Sequence, residues 1–92
     1  MPMFKRLKRK EIFEVVRSCV VSSPAANGNF LRSAVDEYTR LEVIGITSYA
    51  DLTAVCLEVG RKLGYFADCS ILKRNMQRVS LGDIVNIFQN AR

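Results

Sequence analysis

The chain has no histidine. That removes the Ser/His and Cys/His arrangements in which an imidazole activates a nucleophile, so hydrolytic catalysis by this chain alone is not expected. Cysteine is scarce: Cys19, Cys56 and Cys69 are odd in number and lack C-x-x-C spacing. Three thiols without histidine fall short of the four ligands of a structural zinc site unless carboxylates join them. They do not build a disulfide framework either. The sequence predicts no metal site, with Cys19 and Cys56 on apolar helix faces as small core residues in a reducing compartment. No apolar run approaches the ~20 residues that cross a bilayer. The longest uncharged stretch, 18–31, is broken by Ser22, Ser23, Pro24, Asn27, Gly28 and Asn29. No apolar segment suggests a secretory signal, and the expected location is cytoplasmic. Strand alternation, internal repeats and low-complexity segments are missing too.

What is present suits one small domain. The 92 residues are 49% hydrophobic, enough for one modest core and too apolar for a disordered chain. The net charge of +5 is unevenly spread. Lys5, Arg6, Lys8, Arg9 and Lys10 precede the first acid, Glu11, after which nine bases balance nine acids. Residues 1–10 therefore read as a basic arm and 11–92 as a neutral helical domain. The arm is either a solvated tail or a contact for an acidic partner, a membrane surface or nucleic acid.

Helical spacing starts near Lys10, with Ile12, Phe13, Val16, Cys19 and Val20 on one face, and ends at Ser22-Ser23-Pro24. A long connection covers 22–30. Leu31, Ala34, Val35 and Tyr38 suggest two further turns of helix. Leu41, Val43 and Ile44 read as an apolar anchor in a loop, turned by Gly45. The strongest element follows. Thr47 or Ser48 caps a helix carrying Leu52, Val55, Cys56, Val59 and Leu63 in one stripe, with Asp51 placed as in a capping box and Gly64 as the stop. Ile71, Leu72 and Met76 mark a short third piece with Lys73, Arg74 and Arg78 outside. Ser80 and Asp83 open a last helix bearing Leu81, Ile84, Val85, Ile87 and Phe88. The expected fold is all-α, a small three- to four-helix bundle.

Over 12–88 this layout resembles the acyl carrier proteins. Gly45-Ile46-Thr47-Ser48-Tyr49 lies where the family has Gly-x-Asp-Ser-Leu opening its second helix. Val79-Ser80-Leu81-Gly82-Asp83-Ile84-Val85 is similar to the family's entry to its last helix. The resemblance implies a non-enzymatic carrier with 4′-phosphopantetheine on Ser48, loaded by a phosphopantetheinyl transferase and served by acyl-transferring or acyl-modifying enzymes. It also implies that Thr47, Tyr49, Leu52 and Cys56 border the partner-facing and acyl-facing surfaces. The chain departs from the pattern at Thr47, which replaces the aspartate, and at Tyr49, which replaces the leucine. An ungapped match of the helix face sets Tyr49, not Ser48, at the attachment position. Arg61 and Lys62 interrupt the acidic face by which such carriers meet basic enzymes.

Three functions follow as expectations. The first is a specialised acyl carrier armed at Ser48. The second is a carrier-like interaction module without the arm, in which Ser48 is a plain helix cap and Tyr49, Tyr65 and Phe66 are candidate anchors. The third, least favoured, is a basic helical domain holding nucleic-acid phosphates through Lys73, Arg74, Arg78 and the arm. Against it stand the neutral body and the lack of a recognition helix rich in Arg, Asn or Gln.

Overall fold

Helix α1 spans Arg9–Val21 and buries Ile12, Val16, Cys19 and Val20, the stripe read from the sequence. In this computed structural model residues 7–27 and 32–91 are described, and residues 1–6 of the expected arm lie outside them. Arg9 and Lys10 belong to the first turn of α1 rather than to an arm. The Lys8 amide donates to the Glu11 carboxylate at 2.8 Å, satisfying one of the free N–H groups at the helix start.

The two turns of helix expected over 31–38 are not formed; Leu31 lies outside the described residues. A single 3₁₀ turn, Arg32–Ala34, stands there instead. The cause is local. The Asp36 carboxylate accepts from the Tyr38 amide at 2.9 Å and from the Thr39 hydroxyl at 3.2 Å, while the Asp36 amide donates to Thr39 Oγ1 at 3.0 Å. These side chains offer the backbone an alternative to helix. Val35 is buried and Tyr38 is exposed.

The anchor expected as loop is one turn of helix, α2, Leu41–Ile44. Its start is fixed from afar. The Leu41 amide donates to Val79 O at 2.9 Å, Leu81 N to Thr39 O at 3.1 Å and Gly82 N to Glu37 O at 2.8 Å. Arg40 and Ser80 pair as an isolated antiparallel bridge, the sole strand-like contact among the described residues.

Helix α3, Tyr49–Leu63, buries Leu52, Val55, Cys56 and Val59 and stops at Gly64, whose φ of 90° is left-handed. A 3₁₀ segment, Ser70–Arg78, kinks at Asn75 and buries none of its own residues. Helix α4, Leu81–Asn90, carries a full capping box: Asp83 N donates to Ser80 Oγ at 3.3 Å and Ser80 N to Asp83 Oδ2 at 3.0 Å. α1 packs against both α3 and α4, while α2 leans on the 3₁₀ segment. Phe88, Leu52, Leu81, Ile84 and Ile46 sit fully buried at the centre. The result is the all-α bundle expected from the sequence.

Candidate functional site

The mouth of α3 is held by the chain that precedes it. Gly45 ends α2 at φ 113°, a left-handed conformation that glycine enters without a Cβ penalty. A Cβ there would stand 2.5 Å from the Ala25 carbonyl oxygen, so the loop after α1 needs glycine for its close approach. The Asn27 amide donates to Ile44 O at 2.8 Å and ties the same loop down. Ile46 then drops into the core, and Thr47 and Ser48 emerge into solvent.

Ser48 is the cap of α3. Its backbone is extended and its Oγ accepts the Asp51 amide at 3.1 Å. Thr47, the other candidate cap, is exposed and precedes it. Tyr49 is the first helical residue. Its ring is half-buried beneath the Lys73 ammonium, 5.4 Å from the centroid. Such a cation over an aromatic face contributes roughly 0.5–1 kcal/mol at an exposed site. The exposed Ser48 hydroxyl stands at the positive end of a 15-residue helix, where free N–H groups and the dipole favour a phosphodiester. In access and electrostatics the residues fit a phosphopantetheine arm.

Beside Tyr49 lies a groove of about 220 Å³ that sequence reasoning missed. Tyr49, Thr53, Cys56 and Leu57 form one wall; Phe66, Ala67, Asp68 and Cys69, returning after Gly64, form the other. Leu57 is 54% exposed, Phe66 65% and, on the adjoining 3₁₀ segment, Ile71 69%. The signal was Leu57, an apolar residue outside the buried stripe of α3.

The expected anchors divide. Tyr65 is half-buried, stacks edge-on against Phe88 with centroids 5.8 Å apart, and donates its hydroxyl to Phe88 O at 2.6 Å. It closes the core, whereas Phe66 faces outward. Leu52, expected at the partner-facing surface, is fully buried; it follows the α3 stripe and belongs to the core. Cys56 is buried too, but lines the floor of the groove.

Charges of both signs stand at the groove: Asp68 lies in its wall and the Lys73 ammonium stands over Tyr49. Arg9, Arg17, Arg40 and Arg61 are paired with Glu37, Glu14, Glu42 and Glu58. Among the described residues, no such ion pair neutralises Lys73, Arg74 or Arg78, and their segment contains no acid. Asp68, the acid in the groove wall, accepts the Ser70 amide at 2.9 Å. That hydrogen bond, with help from the Ser70 hydroxyl, lowers its carboxyl below the ordinary aspartate value.

All three thiols are buried and unbridged. Burial raises Cys19. Cys56 and Cys69 line the same groove, and the mutual influence of the two thiols lowers Cys69 and, with burial, raises Cys56. Among the described residues no three His, Cys, Asp or Glu side chains gather as metal ligands, and no helix is long and apolar enough to cross a membrane. No family model, curated protein or solved structure matches the chain.

Proposed function

We propose that the chain is a non-catalytic, carrier-like interaction module. Its groove beside the mouth of α3 takes an acidic, apolar-faced segment of a partner protein. The supporting observation is that exposed Leu57 and Phe66 flank the groove, with exposed Ile71 two residues beyond its Cys69 wall and the Lys73 ammonium over Tyr49. The apolar trio supplies the anchors, and Lys73, over the Tyr49 ring, favours an acidic occupant. Nucleic acid would use the cations but leave the apolar trio in water.

Completing the burial of three half-exposed side chains contributes about 1–2 kcal/mol each. Association costs consume much of this, so a single segment binds with a Kd no tighter than about 1 mM. The test is an NMR titration of the whole chain with a synthetic amphipathic helical peptide bearing Leu and Phe on one face and Glu on the other. Shifts confined to Thr53, Leu57, Phe66 and residues 67–73 support the reading, as does a roughly tenfold loss in Phe66→Ser. Equal binding of a lysine-substituted peptide, or tighter salt-sensitive binding of an oligonucleotide, overturns it.

A second reading is favoured by one observation, the exposed Ser48 hydroxyl at the head of α3. Here Ser48 bears 4′-phosphopantetheine. Its oxygen would hold the phosphodiester and the first-turn N–H groups of α3 would orient it. The group would supply a thiol on which an acyl chain is carried as a thioester. Intact mass after incubation with coenzyme A and a broad-specificity transferase decides: a gain of one phosphopantetheine, lost in Ser48→Ala, supports it, and an unchanged mass in the folded protein rejects it.

A further inference from the structure

Cys56 and Cys69 come from different parts of the fold, one from the middle of α3 and one from the chain returning after Gly64. Both nonetheless are buried side chains lining the same open groove, and each thiol shifts the other's titration. Cys19 lies on α1 and opens onto a different cavity, shared with Ser22, Ser23 and Pro24. We propose that Cys56 and Cys69 form a peroxide-sensitive thiol pair, closing to an intramolecular disulfide across the groove floor. This assignment does not depend on what the groove binds.

The chemistry follows from the asymmetry of the pair. The neighbouring Cys56 thiol lowers Cys69, so Cys69 is the better thiolate and the attacking sulfur. It attacks one oxygen of hydrogen peroxide and the O–O bond breaks. Cys69 becomes a sulfenic acid, and the departing hydroxide takes up the thiol proton as water. Cys56 sulfur then attacks the sulfenic sulfur. The S–S bond forms, the S–O bond breaks, and a second water leaves with the Cys56 proton. Two thiols and one peroxide thus give one disulfide and two waters; the two sulfurs lose two electrons and the peroxide gains them. The influence of Cys69, together with burial, keeps Cys56 protonated until that second step.

The bond would tie α3 to the segment that carries Phe66. Closing the chain between 56 and 69 removes freedom mainly from residues after Leu63, the wall opposite Leu57.

The test uses the full chain, reduced and then treated with one equivalent of hydrogen peroxide. The expected product is a monomer lighter by two hydrogens, recovered at its original mass with dithiothreitol. Tryptic cleavage after Arg40, Arg61, Lys62 and Lys73 puts Cys56 and Cys69 on separate peptides, and Cys19 on a third. The expected disulfide joins 41–61 to 63–73. A Cys19→Ser variant closes at the wild-type rate, while Cys69→Ser and Cys56→Ser lose closure at least tenfold, with folding checked by circular dichroism. Since those two variants alter the core, the wild-type peptide map carries the same decision. A linkage through Cys19, an intermolecular dimer, or unchanged mass in the folded protein overturns the assignment.

Discussion

Phe66 lies across Gly60. A Cβ on Gly60 would stand 2.5 Å from the Phe66 ring at Cδ1 and 2.9 Å from the Tyr65 carbonyl oxygen. The ring can swing away, but the carbonyl belongs to the backbone that closes α3. Gly60→Ala should therefore destabilise the fold by about 1–3 kcal/mol through overpacking. Alanine's better helix propensity returns up to about 1 kcal/mol of this. Chemical denaturation measures the net change, and an NMR contact map should show Phe66 displaced. A stabilised variant with Phe66 in place would show that the ring does not rest on Gly60.

Tyr65 performs the opposite task to its neighbour. Its hydroxyl reaches Phe88 O, a carbonyl near the end of α4, at 2.6 Å. Tyr65→Phe keeps the edge-on ring contact and deletes only that bond. The expected loss is about 1 kcal/mol. Amide exchange should quicken in the last turn of α4 more than in α1. Uniform quickening would mean that the bond is not what ties the chain after α3 to α4.

Local capping chemistry made α3 and α4 legible before the fold was known. Ser48, Ser80 with Asp83, and Gly64 after Leu63 are written within a few residues of the ends they fix, although at α3 only the Ser48 half of the expected capping box forms. α2 was not legible as a helix, because its start depends on Val79 O, nearly forty residues away in the chain. The segment 31–38 misled for the reverse reason: its apolar spacing suits a helix, but Asp36 and Thr39 divert the backbone. At the site, the stripe of α3 already assigned Leu52 to the core; only the family resemblance drew it outward. Leu57 and Phe66 become one surface only after the chain turns at Gly64, a tertiary event that spacing does not record.

The α3 cap separates structure from chemistry at Ser48. Ser48→Ala should cost about 1 kcal/mol, because the Asp51 amide loses its acceptor. Ser48→Asp should cost little, since aspartate caps equally well and its charge suits the dipole. Thermal melts compare the two. If the chain works without an arm, Ser48→Asp binds the acidic probe peptide within about twofold of wild type. Equal losses of stability in both variants would show that the hydroxyl cap is not what holds the helix start.

Arg9 binds three partners from one guanidinium. Nε and Nη2 donate to Glu37 Oε1 at 3.0 and 2.5 Å, and Nη1 donates to Asn86 Oδ1 at 2.6 Å and Gln89 Oε1 at 2.8 Å. The fork joins α1 to α4 and to the turn at Glu37 before α2. An isolated, half-exposed pair such as Arg9–Glu37 contributes about 0.2–1 kcal/mol; the added side-chain bonds raise the expected cost of Arg9→Ala to about 1–2 kcal/mol. Arg9→Lys should recover less than half, because an ammonium cannot span the same fork. Full rescue by lysine in a denaturant series would reduce the contact to simple charge attraction.

The start of the 3₁₀ segment should respond to acid. Hydrogen bonds from Ser70 hold the Asp68 carboxyl below its ordinary value, so the folded form binds its proton less readily than the unfolded chain. The support Asp68 lends is therefore fully present above the ordinary aspartate pKa of about 3.9 and fades as pH falls through the lowered folded value. Cys69 and Ile71 flank this turn, so one wall of the groove should loosen over the same range. An NMR titration following the Ser70 amide and the Asp68 side chain together is the measurement. Both should move with one midpoint below that of a model peptide, and Asp68→Asn should remove the transition at Ser70. A Ser70 amide that titrates unchanged in Asp68→Asn would assign the effect to another carboxylate.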